Sequence, residues 1–235
     1  MTIKERLDAP DWKAITNNMH NDGYAIIERL ISDTECDNIA SLYPQDIHFR
    51  KTIQMARYRF GAGEYKYFQY PLPQLIQSLR EGLYPHLVPI ANEWMMAYKE
   101  DKKYPLELSD FLDQCHEKNQ ARPTPLLLTY SQGDYNTLHQ DMYGAIYFPL
   151  QAVIFLNEPG ADYTGGEFVL IEQKPRMQSK AIVLTPKKGD VIVFTTHSRP
   201  VSGIRGYYKA VMKHGVSLLR SGHRKTLGII FHDAA

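Results

Sequence analysis

Residues 126–141 read Leu126-Leu-Leu-Thr-Tyr130-Ser-Gln-Gly133-Asp-Tyr-Asn-Thr-Leu-His139-Gln140-Asp141. A short apolar run, Leu126–Tyr130, meets the turn signal Gly133-Asp134 and leads to His-x-Asp. In extended chain, residues two apart point to one side, so His139 and Asp141 can meet one ion. The pair is weak on its own. With 9 His and 26 acidic residues in 235, chance supplies about one such pair, and two surface residues after a turn leave the same trace.

The residues after Pro125 raise its weight. Short, β-branched apolar runs follow at Val153–Leu156, Glu167–Ile171, Ala181–Thr185, Val191–Phe194, Tyr207–Met212 and Leu227–Phe231. Pro159-Gly160, Gly165-Gly166, Lys188-Gly189 and Ser221-Gly222 punctuate them. Many short strands at this spacing predict a sandwich or barrel. No glycine-rich nucleotide fingerprint interrupts them.

The first half has a different period. Trp12, Ile15 and Met19 lie at helical spacing, Tyr24–Ile27 reads as a strand, and Asp33 is placed to cap a helix through Ile39 and Leu42. Residues 72–100 carry an apolar stripe of Leu75, Leu79, Leu83, Leu87 and Ile90, with Pro85 and Pro89 predicting breaks or kinks. Residues 106–119 predict one more short helix. The expected organisation is a single domain over 1–235, with residues 1–122 as helical support and residues 123–235 as the β core.

Composition excludes several classes. Hydrophobic residues are 43% and charged residues 23%, ordinary for a globular chain rather than a disordered, collagen-like or coiled-coil one. No apolar run nears the length of a membrane span, and the charged N-terminal stretch lacks the core of a secretory signal. Two cysteines, Cys36 and Cys115, are too few for a disulfide framework. The expected location is the cytoplasm.

Net charge is +1, yet the stretch between Asp190 and Asp233 contains no Asp or Glu. It holds Arg199, Arg205, Lys209, Lys213, Arg220, Arg224 and Lys225. A solvated basic face and a field for an anionic ligand are the two readings.

The pieces fall into an ordered set. Tyr130 and Gly133 precede His139-x-Asp141. Phe155-Leu-Asn157, Gly165-Gly166-Glu167-Phe168 and Gly189-Asp190-Val191 follow, then His214-Gly-Val216, Gly222 and Arg224, and finally the run Leu227–Phe231. The set resembles the iron(II)- and 2-oxoglutarate-dependent oxygenases over about residues 123–235. Tyr130…His139-x-Asp141 and Phe155-Leu-Asn157…Gly165-Gly166 are similar to the prolyl 4-hydroxylase branch. Leu138-His139-Gln140-Asp141 and Gly189-Asp190-Val191 are similar to the alkylated nucleic acid repair branch. The C-terminal segment is also similar to an uncharacterised bacterial group without an assigned substrate.

The resemblance implies an α+β fold with a double-stranded β-helix, or jelly-roll, core. It implies Fe(II), 2-oxoglutarate and dioxygen as cofactor and cosubstrates. Two imidazoles and one carboxylate on one face hold Fe(II) and leave positions open. His139 and Asp141 would supply two of these ligands. The third is His214, followed by Val216, Gly222 and Arg224, or His197, whose Val201, Gly203 and Arg205 form a compressed copy. His214 is preferred because Leu227–Phe231 supplies the strand expected after the anchoring Arg224.

Arg224 would grip the distal carboxylate of 2-oxoglutarate, with Thr226 facing the same way and Tyr130 as a further hydrogen-bond donor. Gln140 and Tyr143 would line the mouth, and Arg199 and Arg205, in the insertion before His214, would meet an anionic substrate. The expected reaction is hydroxylation or oxidative demethylation, with alkylated nucleic acid one possible substrate. The rival class is a non-catalytic jelly-roll metal-binding or sensor protein.

Overall fold

The computed structural model describes residues 2–142, 144–204 and 206–235. The chain runs α1 (Ile3–Asp8), α2 (Trp12–Asp22), β1 (Tyr24–Ile27), α3 (Asp33–Ala40), β2 (Phe49–Gln54), β3 (Gly61–Ala62) and β4 (Glu64–Phe68). Then come α4 (Gln74–Tyr98), α5 (Leu108–Glu117), β5 (Leu126–Ser131), β6 (Tyr135–His139), β7 (Leu150–Phe155), β8 (Tyr163–Gly165) and β9 (Phe168–Gln173). The last strands are β10 (Lys180–Leu184), β11 (Val191–Thr195), β12 (Ser198–Gly203), β13 (Gly206–Val216) and β14 (Leu219–Ile229). Among the described residues, no helix is long and apolar enough to cross a membrane.

The strands form two sheets. One has the order β1-β11-β7-β14-β5-β4-β2, with β8 on the far part of β14; the other runs β10-β9-β13-β6-β3, with β12 on β13. The named pairings are antiparallel. This is the α+β double-stranded β-helix. Residues before Pro125 contribute strands as well as helices, since β1 extends the large sheet beside β11 and β4 extends it beside β5.

Period-two alternation explains why the large sheet reads as nearly continuous apolar sequence. On β7 and β11, Val153, Phe155, Ile192 and Phe194 point between the sheets, where they meet Phe168, Leu170 and Met212. Their neighbours Ala152, Ile154, Val191 and Val193 point the other way and pack with the helices, as do Leu127, Leu227 and Ile229. Both faces of the sheet are therefore covered. Every residue of β7 and β11 is buried.

Two local expectations change. The cap of α3 is Ser32, not Asp33: the Ser32 hydroxyl accepts the Glu35 N–H at 3.3 Å and the Glu35 carboxylate accepts the Ser32 N–H at 2.8 Å. That reciprocal pair satisfies two exposed donors, whereas a cap at Asp33 would form only one bond. Nor do the prolines end a helix. Pro85 and Pro89 both lie inside α4, which is continuous over 25 residues. The two sit four residues apart on the exposed stripe. The carbonyls they leave unpaired lie toward water, while Leu79, Leu83, Leu87, Ile90 and Trp94 hold the opposite face in the core.

Arg80 fastens α4 to the end of β14. Its guanidinium donates to the carbonyls of Ile230 and Phe231 at 3.0 Å each and to the buried Asp233 carboxylate at 2.8 Å. Tyr70 and His116 complete the partners of Asp233.

Candidate metal and cosubstrate site

His139 ends β6, and His214 lies directly opposite it on β13. The strands come close here because residue 215 is glycine; a Cβ at Gly215 would stand 2.7 Å from the Asn136 carbonyl oxygen. The two imidazoles lie 4.2 Å apart between ring centres. Asp141 follows in the loop just past β6, its backbone N–H bonded to the Thr196 carbonyl at 3.3 Å. Its Oδ1 is 3.5 Å from His139 Nε2 and its Oδ2 3.3 Å from His214 Nε2. One ligand atom from each of the three residues fits within 4.8 Å of the others, so the set can hold one metal ion.

The surroundings prepare these groups for that role. The His139 Nδ1–H donates to the Thr137 carbonyl at 2.8 Å, which leaves Nε2 with its lone pair toward Asp141. Burial, with the neighbouring His214, lowers the His139 pKa and favours the neutral ring. Burial works against the Asp141 carboxylate. Even so, the two imidazoles and the Gln151 amide hold it well below the usual carboxylate range. Gln151 Nε2 donates to Asp141 Oδ2 at 2.8 Å and lies 3.5 Å from His214 Nε2.

The same cavity contains the buried cation. Arg224 on β14 is 1% exposed. Its guanidinium carbon lies 5.4 Å from the Tyr130 ring centre and 5.2 Å from that of Phe155. None of its three guanidinium nitrogens has a hydrogen-bond partner among the described residues, although Tyr163 lies near enough to feel the charge. An unpaired buried guanidinium is costly, so a site that keeps one has an anion to receive. Thr226 is buried two residues along on the same face. Tyr130 stands opposite Arg224 in the β5–β14 register. Burial pushes the Tyr130 phenol up to about 12 despite Arg224 beside it, so it stays protonated as a donor. The donor set suits a dicarboxylate whose far end meets Arg224 while its near end reaches the His-Asp-His group.

Other expected residues lie elsewhere. His197 is outside the cluster; its ring is in the field of Lys209 and Glu100. The Gln140 amide donates to the carbonyls of His197 and Met212 at 2.8 and 2.9 Å, so it ties the loop to β13 instead of lining the mouth. Arg199 is 5% exposed, pairs with Glu172 and donates to the His20 carbonyl at 2.9 Å. It is a buried structural ion pair, because β12 folds back on β13 and packs against the helices. Lys209 likewise pairs with Glu100 over the Tyr98 ring. Tyr143 and Arg205 lie outside the described residues.

Sequence reasoning missed Gln151 and Asn136, which both line the cavity. Gln151 had a signal. Counting back by twos from the inward Phe155 and Val153 gives residue 151, a lone polar side chain on the buried face of an apolar strand.

The fold belongs to the class of 2-oxoglutarate- and iron(II)-dependent oxygenases. A 2OG-Fe(II) oxygenase-family oxidoreductase from Burkholderia pseudomallei matches at a TM-score of 0.53 and 16% identity, over 97% of this chain and 94% of that one. A prolyl-4-hydroxylase from Pseudomonas putida matches at 0.52 and 13%, over 95% and 99%. Within that class, residues 63–234 match the family model Oxygenase-NA, described as an oxygenase catalysing oxidative methylation of damaged DNA. The chain belongs to this family. An uncharacterised Mycobacterium tuberculosis protein is 47% identical over 168 residues, 72% of either chain. Family, fold and the chain's own His-Asp-His set together make it a 2-oxoglutarate-dependent dioxygenase using Fe(II), 2-oxoglutarate and dioxygen. Family membership sets aside the non-catalytic sensor alternative.

Proposed function

We propose that His139, Asp141 and His214 hold the Fe(II), that Arg224 with Thr226 and Tyr130 receives the distal carboxylate of 2-oxoglutarate, and that the oxidised substrate is an alkylated base in DNA. The observation that carries the cosubstrate part is the Arg224 guanidinium, buried and unpaired in the cavity that also contains the three ligands. The chemistry supplied at such a centre is decarboxylation of 2-oxoglutarate to succinate, coupled to hydroxylation of a substrate C–H bond. On an N-methyl group the hydroxylated product loses formaldehyde, which is oxidative demethylation.

The protein's own residues select and orient. Arg224 fixes the far carboxylate by a charge-assisted fork. Gln151 fixes the rotamer of Asp141. Phe60, Tyr65, Phe168 and Phe194 line the cavity with aromatic surface, suited to a planar substrate and to keeping bulk water away. The family's damaged-DNA description supports the base as substrate. Cys36 and Cys115 are free and buried, in keeping with a reducing cytoplasmic location.

The test supplies an oligonucleotide with a single N-methylated base, Fe(II) and 2-oxoglutarate, and follows succinate and formaldehyde together. Equal release of both, stimulated by the methylated strand over its unmodified twin, is expected. Succinate release indifferent to the strand, with the methyl group retained, would remove the DNA part of the proposal.

A further inference from the structure

Residues Met55–Tyr58 form a tight 3-10 turn between β2 and β3, closed by Arg59 in the left-handed region at φ 61°. The turn exposes what a chain normally hides. Tyr58 is 52% exposed and Phe60 39% exposed. Their rings are stacked, with centres 5.6 Å apart and planes 19° from parallel. Arg57 and Arg59 are both exposed, and neither forms an ion pair among the described residues. Phe60 also lines the cavity that contains His139 and Asp141.

The turn is joined to the metal ligands by short bonds. The Phe60 carbonyl accepts both the backbone N–H and the hydroxyl of Thr137, at 2.8 and 2.9 Å. The Thr137 carbonyl in turn accepts Nδ1–H of His139. Whatever lies on Phe60 is therefore held at a set position relative to His139. Water-exposed stacked rings flanked by unpaired guanidinium groups match one ligand chemistry, flat π-faces joined by phosphates. Duplex DNA buries those faces in its own stack, so the partner is an unpaired strand.

Resting on the DNA reading above, we propose that the Arg57–Phe60 turn is the platform on which single-stranded DNA docks. A base beside the target stacks on Tyr58 and Phe60, the arginines meet the flanking phosphates, and the target base enters the cavity.

The test measures fluorescence anisotropy of the full chain with a labelled single-stranded 12-mer and with the same sequence as a duplex. Tyr58→Ala should weaken single-strand binding about 5- to 150-fold, the range for loss of a stacked base, while Tyr58→Trp retains it. Arg57→Gln with Arg59→Asn should flatten the salt dependence by about 1.4 in the log–log slope, two phosphate contacts' worth for a single strand. Asparagine is chosen at 59 because it tolerates the positive φ. Matching thermal unfolding and 2-oxoglutarate affinity in all variants keeps a folding defect apart from a docking defect. Parent-like strand binding by Tyr58→Ala, or equal parental affinity for duplex and single strand, would overturn the platform. Turnover of the methylated oligonucleotide would then still stand for the DNA reading. A parent that binds and oxidises no strand at all would sink both.

Discussion

His139 and His214 are direct cross-strand partners, one on β6 and one on β13, with their rings 4.2 Å apart. Two imidazoles facing each other across a ladder repel when charged and cooperate when an ion lies between them. His214→Ala should therefore abolish tight divalent-metal binding, and His197→Ala should leave it intact. Calorimetric titration with Mn(II) checks both. Loss of binding in the His197 variant alone would overturn the ligand assignment.

Arg224 should be needed for the cosubstrate and not for the metal. Breaking a buried charge-assisted pair costs about 2–5 kcal/mol, some tens- to thousands-fold in affinity. Arg224→Ala is expected to lose 2-oxoglutarate affinity to that degree while Mn(II) affinity stays near the parent's. Unchanged 2-oxoglutarate binding would contradict the role given to the guanidinium.

Gln151 fixes Asp141 from behind, through a 2.8 Å bond to Oδ2. Partners of this kind are worth about 10- to 100-fold in metal affinity. Gln151→Leu, which keeps the volume and removes the donor, should lower Mn(II) affinity by that factor with little change in melting temperature. A parent-like metal titration would reduce Gln151 to packing.

Arg199 should affect stability, not substrate. Removing one partner of the buried Arg199–Glu172 pair should destabilise the fold by about 3–5 kcal/mol. Denaturant unfolding of Arg199→Ala measures it. A stable variant with altered salt dependence of kcat/KM would restore the surface reading of this residue.

His232 predicts a distinct acid response. Burial depresses its pKa to about 4, and its Nδ1 accepts the Phe148 N–H at 3.2 Å, so the folded protein keeps the ring neutral. Above about pH 6.5 both folded and unfolded chains are neutral there and the residue has no pH effect. Below it, the unfolded chain binds a proton that the folded one refuses, and stability falls until about pH 4, by roughly 3 kcal/mol in all. Asp141 and Glu35, whose pKa values are lowered, add their losses at lower pH. His232→Asn, which keeps an acceptor for Phe148, should flatten the pH 6.5–4 segment of the stability curve. An unchanged slope would assign that segment to other groups.

The centre of the large sheet was legible because β7 and β11 are covered on both faces and so read as unbroken apolar runs, as at Val191–Phe194. The strands missed at Phe49–Gln54 and Glu64–Phe68 lie toward one end of the large sheet. There Lys51, Thr52, Glu64 and Lys66 break the pattern. His139, Asp141, His214, Thr226 and Arg224 were singled out by residue type and order, and the structure brings all five to one cavity. Arg199 was misjudged because a basic stretch in sequence says nothing of which charges acquire buried partners. Glu172, on another strand, decides that case. Gln140 next to a ligand looked functional by adjacency, but its amide faces the backbone of His197, just before β12, and of Met212 on β13.

The strand order has a bearing on how the protein is made. Residues 219–229 follow all the other strands in the chain, yet they lie between β5 and β7 in the middle of the large sheet. During synthesis, until that segment leaves the ribosome, β5 and β7 lack their shared partner and present open edges, which invite mispairing with other chains. Arg224 and Thr226, both on β14, also arrive only then. A half-made chain thus lacks the guanidinium proposed to receive 2-oxoglutarate, and the cavity is complete only once β14 has been made.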